Sequence, residues 1–271
     1  PPPQISTTPS PREQLEALVR QDPQNPRLRV EVAQRYYTLG WYEQAAKQAQ
    51  EALVLQPDSV AALLLLGYAQ QARGQAPEAL DAFSRAIAMG TQTPGTALSN
   101  ALSGAYYQRG QLYLSAQQYQ AAEQDFRSAL DIEWTDADAR HGLAEALRLQ
   151  GDCPSAVPEY QRAIQFVPDF AEAFSGLAAC AAQLEDQVQQ QYATAMQRLA
   201  QGLTSQALAE LQSLTTTAPE FLPAQLGLAL AHERLNQREQ AFTIYHAILE
   251  QDPNQPVALL GMRRTAPQGQ P

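Results

Sequence analysis

The sequence predicts an all-α protein made of antiparallel helix pairs stacked in series. Three observations carry that prediction. The first is composition: 45% of the 271 residues are hydrophobic but only 7% are aromatic. The apolar content is therefore mostly Ala and Leu, which with abundant Gln, Glu and Arg make a helix-forming set poor in strand formers. The second is a recurring proline: Pro23 to Pro57 and Pro219 to Pro253 are both 34-residue steps, and Pro168 plays the same part. The third appears when the chain is cut on those prolines into windows 26–59, 60–93, 103–136, 137–170, 188–221 and 222–255. The twentieth residue is then always alanine: Ala45, Ala79, Ala122, Ala156, Ala207 and Ala241. The eighth is always small: Ala33, Gly67, Gly110, Ala144, Ala195 and Ala229.

Each window reads as helix, turn, helix. Small residues at the eighth and twentieth places let two helices approach closely, and a large residue at the twenty-fourth fills the space beside that contact. That residue is Phe83, Phe126, Tyr160, Leu211 or Tyr245, with Ala49 in the first window. Gly40, Gly74, Gly151 and Gly202 occupy the fifteenth place, where a helix end takes a left-handed residue. The closing proline ends the second helix because it has no N–H to donate.

The elements follow in order. Residues 1–10, rich in Pro, Ser and Thr, read as a linker, and predict a signal or membrane anchor in a segment absent from this chain. Residues 11–25 match a half repeat, with Leu15 and Leu18 as packing residues. Two windows follow without a gap. Segment 94–102 then breaks the phase, and Ala97, Leu98 and Leu102 at helical spacing predict that the next first helix starts early, near Thr96. A second insertion covers 171–187. There Phe174, Leu177, Ala181, Leu184, Val188, Tyr192, Ala195 and Leu199 keep a three-to-four spacing without an intervening Gly or Pro. This predicts one extended helix near 171–201; a break near Glu185–Asp186 is the alternative. A closing helix at 256–264, with Arg263 and Arg264 at its negative end, caps the array before a tail at 265–271.

These windows resemble the tetratricopeptide repeat family over residues 24–255. The resemblance implies a right-handed superhelical solenoid in which the first helix of each pair lines a concave groove. It also implies that the second, fifth, ninth, twelfth and thirteenth places of a first helix face that groove. In the first three windows these places include Val30, Gln34, Tyr37, Leu64, Tyr68, Tyr107, Gln111 and Leu114, an apolar floor rich in tyrosine. Some of those rings are alternatively packing between neighbouring helices. Lys and Asn, with which the cochaperone branch of the family clamps a terminal carboxylate, are missing from these places. Trp134 and Thr91 stand where a closing proline is expected.

Chemistry is sparse. Phosphate-binding glycine loops, GxSxG, CxxC and HExxH are all absent, and neither an enzyme activity nor a cofactor is expected. A net charge of −10 argues against general nucleic-acid binding, and no apolar run is long enough for a membrane span. Asp138, His141, Glu145 and Arg148 share one face of a first helix. They read as ion-paired neighbours that offer polar contacts to a partner. The alternative is a metal site on Asp138, His141 and Glu145, with Glu172 as a further ligand. His232 and His246 are expected to pack. Cys153 falls level with Leu184, one turn from Cys180, so a bridge is open but two free thiols are preferred.

The sequence therefore predicts a monomeric scaffold or assembly factor that binds a peptide or helix of another protein. Any membrane contact would come through a segment absent from this chain. Arg in place of Lys (Lys47 is the sole lysine) with abundant Gln resembles proteins of photosynthetic bacteria. That analogy raises photosystem or other membrane-complex biogenesis as the setting.

Overall fold

The structure, a computed structural model, describes residues 10–92 and 96–266. The linker expected at 1–9, the turn chemistry at 93–95 and the tail at 267–271 lie outside the described residues. Among the described residues there are fifteen helices and no strand. They form two compact units divided after Trp134.

The first unit holds α1 (Pro11–Gln21), α2 (Pro26–Thr38), α3 (Tyr42–Leu55), α4 (Val60–Ala72), α5 (Ala76–Gly90), α6 (Thr96–Ser115) and α7 (Tyr119–Ile132). Ser10 opens α1 with a capping box: its hydroxyl accepts from the Glu13 N–H while the Glu13 carboxylate takes the Ser10 N–H. The pairs α2–α3, α4–α5 and α6–α7 pack most extensively, and α3 also packs on α4, α5 on α6 and α1 on α2. Helix α6 begins at Thr96, so the residues up to Leu102 lengthen a first helix.

The predicted packing residues form the core. All six twentieth-place alanines are fully buried, as are Phe83, Phe126, Tyr160, Leu211 and Tyr245 at the twenty-fourth place. Gly67 and Gly110 are small for a reason: a Cβ on either would press on the ring of Phe83 or Phe126. One core feature carries charge. Asp125, 5% exposed, takes two 2.7 Å hydrogen bonds from Arg109, whose guanidinium also donates to Ser84 and lies by the rings of Tyr106 and Tyr113.

The second unit holds α8 (Ala137–Leu149), α9 (Cys153–Phe166), α10 (Ala171–Gln183), α11 (Gln187–Ala200), α12 (Thr204–Thr217), α13 (Leu222–Arg234), α14 (Arg238–Gln251) and α15 (Pro256–Thr265). The extended helix predicted near 171–201 is therefore wrong, and the break is real. Glu185 adopts a left-handed φ of +58°, and the Asp186 N–H bonds back to the Ala181 carbonyl. The Asp186 carboxylate then caps α11 by accepting from the Gln189 N–H. The uninterrupted three-to-four spacing misled because both helices bury a face on each other across a three-residue turn. The same closing turn follows α2, α4, α6, α8, α11 and α13, with Gly40, Gly74, Gln117, Gly151, Gly202 and Asn236 at positive φ.

That break adds one helix to the array. Helix α10 packs on α8 and α9 as a first helix does, and α11 packs on α10 as its second. Yet α11 also packs on α12 and α13, as the first helix of the following pair. Consecutive helices are antiparallel, so first helices α8 and α10 run one way and α11, α13 and α15 the other. Helix α10 has no second helix of its own.

The cysteines correct the preference for free thiols: Cys153 and Cys180 form a disulfide, with Cα atoms 5.2 Å apart and both residues fully buried. Closing a loop over a separation of 27 residues is worth about 3–4 kcal/mol in the chain-entropy description. His232 is buried, its Nδ1 2.6 Å from Gln237 Oε1, but His246 is exposed beside Glu250 and does not pack in the core. Helix α15 reaches Thr265, which is buried with its hydroxyl donating to the Gly261 carbonyl, so the ordered cap extends one residue past the predicted end.

Candidate functional site

In the first unit the candidate residues lie on α2, α4 and α6. Tyr37, Tyr68 and Tyr107 are all half-buried, and they occupy the twelfth, ninth and fifth places of successive first helices. That stagger draws a diagonal across the three helices. The ring centroids of Tyr37 and Tyr68 are 6.2 Å apart, and Tyr68 meets Phe83 edge-on at 5.2 Å. Tyr107 lies 5.9 Å from Phe126. Tyr68 and Tyr107 therefore pack on the buried twenty-fourth residues Phe83 and Phe126, Tyr37 packs on Tyr68, and all three residues stay partly accessible. Burial pushes the Tyr68 phenol up, with Tyr37 adding to the shift, so it stays a neutral hydroxyl at physiological pH.

The other predicted residues divide. Gln34 is exposed, and Val30, Gln111 and Leu114 are half-buried on the same helices. Leu64 is only 8% exposed and belongs to the core. Three features were missed. Tyr42, at the start of α3, sits 5.4 Å from Tyr37 and extends the aromatic row. Gln71 on α4 donates to Gln108 on α6 at 2.9 Å, an amide bridge along the edge of that row. Gly104 lacks a Cβ where one would come within 3.1 Å of the Tyr68 hydroxyl oxygen. Gln71 was legible, since it holds the twelfth place of its window; Gln108 and Gly104 needed the helix-to-helix register.

In the second unit Asp138, His141, Glu145 and Arg148 share one face of α8. Asp138 is exposed and the other three are half-buried. Arg148 donates to Glu145 at 2.6 Å, and the Tyr160 hydroxyl donates to the other carboxylate oxygen. Burial raises the Glu145 carboxyl, but the bonds from Arg148 and Tyr160 outweigh it and hold the pKa below the usual carboxylate range. His141 sits 4.9 Å from the Phe170 ring and 6.0 Å from Tyr160. Burial lowers its pKa, against the pull of Glu145, Glu172 and Asp138 and with that of Arg148, which favours the neutral imidazole. The pair expected from the spacing, Glu145 with Arg148, is present. The metal alternative has no geometric support: Glu145 is already engaged, and among the described residues no three His, Cys, Asp or Glu side chains are grouped to hold an ion.

A stack of 34-residue helix pairs with small contact residues and a first-helix face is the architecture of a repeat scaffold. The family profile described as tetratricopeptide repeat matches residues 30–95 and 107–169, and a second profile of the same description matches 198–263. The chain belongs to the tetratricopeptide repeat family. Family membership makes it a protein-interaction scaffold, in a class whose members are generally not enzymes. Cellulose synthase 1 operon protein C of Komagataeibacter xylinus is 30% identical over 166 residues, which is 60% of this chain and 12% of that protein. Cellulose synthase operon protein C of the same organism is 31% identical over 166 residues, with the same shares. The chain thus spans about an eighth of the length of these curated relatives. Among solved structures, YrrB, titled a TPR protein with an unusual peptide-binding site, aligns with TM-score 0.56 at 18% identity over 78% of this chain and 96% of its own. MamA aligns with TM-score 0.59 at 18% identity, over 67% of this chain and 94% of its own. These structures share the fold. Among the described residues, no helix is long and apolar enough to cross a membrane.

Proposed function

We propose that the first unit holds an uncharged extended or helical segment of a partner protein across α2, α4 and α6. The observation that supports this reading is the tyrosine diagonal: Tyr37 and Tyr68 in ring contact at 6.2 Å, continued at Tyr107 and edged by the Gln71–Gln108 bridge. Half-buried tyrosines suit binding because they are already ordered by the core, so little side-chain entropy is lost when a partner covers them. None of Val30, Gln34, Tyr37, Tyr68, Tyr107, Gln111 and Leu114 is charged, so the segment that meets them is neutral there. Asp138, His141, Glu145 and Arg148 on α8 are a second, charged contact surface.

The names of the cellulose synthase operon relatives favour a polysaccharide-synthesis apparatus as the setting over photosystem biogenesis, for which nothing further speaks. The chain acts as a monomer in this proposal, and reaches a membrane only through a segment outside it. The test is a peptide array of neutral, acidic and basic segments probed with the wild type and with a Tyr68→Ala/Tyr107→Ala variant. Neutral peptides lost in the variant support the reading; acidic or basic peptides retained by both overturn it.

A further inference from the structure

We infer that the Cys153–Cys180 disulfide fastens the odd helix of this repeat array, and that the fold of the second unit is completed by thiol–disulfide exchange in an oxidising compartment. Helix α10 is the odd element of the array: it packs on α8, α9 and α11, and it shares α11 with α12. The bridge joins the first residue of α9 to the third turn of α10, the place where a stack held only by neighbour contacts needs a fixed joint. These are the only two cysteines of the chain, and both are fully buried. A buried bridge in a folded unit is out of reach of small thiols until the unit opens. In a reducing cytosol the pair would remain as thiols, so the bridge ties the chain to a compartment where such bonds persist.

The chemistry balances by exchange. One cysteine thiolate attacks the disulfide of a protein dithiol oxidant, giving a mixed disulfide and releasing one oxidant thiolate. The second cysteine thiolate then attacks the sulfur of the first, forming Cys153–Cys180 and releasing the reduced oxidant. Two electrons and two protons pass to the oxidant. The order must place this step before α10 closes over α9, because the finished site admits no oxidant.

Full-length chain made in an oxidising compartment, unfolded in alkylating reagent, should take up no adduct and weigh two hydrogens less than the reduced chain. A Cys153→Ala/Cys180→Ala variant keeps small apolar side chains at both places and removes only the link. Thermal melting of the second unit should then be about 10 °C higher for oxidised wild type than for reduced wild type or the variant, and the latter two should coincide. Amide exchange in α10 should speed up at least tenfold in the variant. Emission of Trp41 and Trp134, both in the first unit, should not change. Two alkylatable thiols in the chain from the oxidising compartment, or equal melting of all three forms, would overturn the inference.

Discussion

The two units use one packing scheme to present opposite surfaces. In residues 10–134 the first-helix places hold mainly uncharged side chains, with Arg27 exposed at the start of α2, and the carboxylate that pairs with Arg109, Asp125, is buried. In residues 135–266 the corresponding face of α8 is built from Asp138, His141, Glu145 and Arg148, and all three histidines of the chain lie in this unit. The eighth, twentieth and twenty-fourth places are nonetheless buried in both units. Packing fixes those places, whereas the first-helix places expected to face a groove differ in charge between the units. The units differ in regularity as well. The first keeps its pairs in step, whereas the second inserts α10 and reverses the direction of the first helices that follow.

The sharpest way to test that irregularity is a proline pair in α11. Thr194 lies in the helix interior, so Thr194→Pro should cost about 3 kcal/mol. Gln187 is the first residue of α11, where a missing N–H removes no helical bond, so Gln187→Pro should be near neutral. Urea midpoints of the two variants check this. Equal losses would restore a continuous helix through 187 and erase the difference between the units.

Next in size is the contrast between the faces. Tyr68→Ala with Tyr107→Ala should cost about 2 kcal/mol of partner binding, roughly a thirtyfold loss, with little effect of salt. Arg148→Gln should instead alter a salt-dependent part of any affinity that involves α8. Titration calorimetry at low and physiological salt separates the two. A tyrosine effect that vanished as salt rose would show that the first face works through charge after all.

Acid should distinguish the units as well. The His141 pKa is lowered on folding, so the folded state resists the proton that the unfolded chain accepts. A group with a depressed folded pKa contributes stability above its unfolded value, here the ordinary 6.5, and loses it as pH falls toward the folded value. Glu145 and Glu233, lowered below 4.5, extend the loss further into acid. The second unit should therefore soften between pH 7 and 5 while the first, without histidine, holds. His141→Gln should flatten that response; amide exchange followed unit by unit across this range is the measurement. Equal softening of both units would remove His141 as the cause.

Much of this was legible because tight helix contacts demand small residues at fixed intervals, and the chain supplies Ala or Gly at every one. The places expected to face a groove came from the family resemblance, and only the structure could show that Leu64 belongs to the core and that Tyr37 and Tyr68 touch. The rest escaped for local reasons. Glu185, Gln117 and Asn236 carry no glycine to announce a left-handed turn, so the break after α10 was hidden inside an unbroken hydrophobic pattern. The disulfide escaped with it. Setting Cys153 level with Leu184 assumed straight neighbours, and one helical turn of offset was enough to favour free thiols.

Those turn residues supply the smallest and most local test. A non-glycine residue at positive φ costs about 1–2 kcal/mol, and glycine gives back about 0.5–1 kcal/mol of that in unfolded-state entropy. Glu185→Gly and Gln117→Gly should thus stabilise their units by about 0.5 kcal/mol each. Asn236→Gly should do less, because asparagine tolerates this region better. The reverse change, Gly151→Ala, meets no side chain but keeps the strained φ of +86°, and should cost about 1 kcal/mol. Denaturant midpoints at constant m-value would resolve these differences. If Glu185→Gly instead lost about 1 kcal/mol, as glycine does inside an exposed helix, residue 185 would be helical. Helices α10 and α11 would then be one, and the second unit would lose the extra turn that sets it apart from the first.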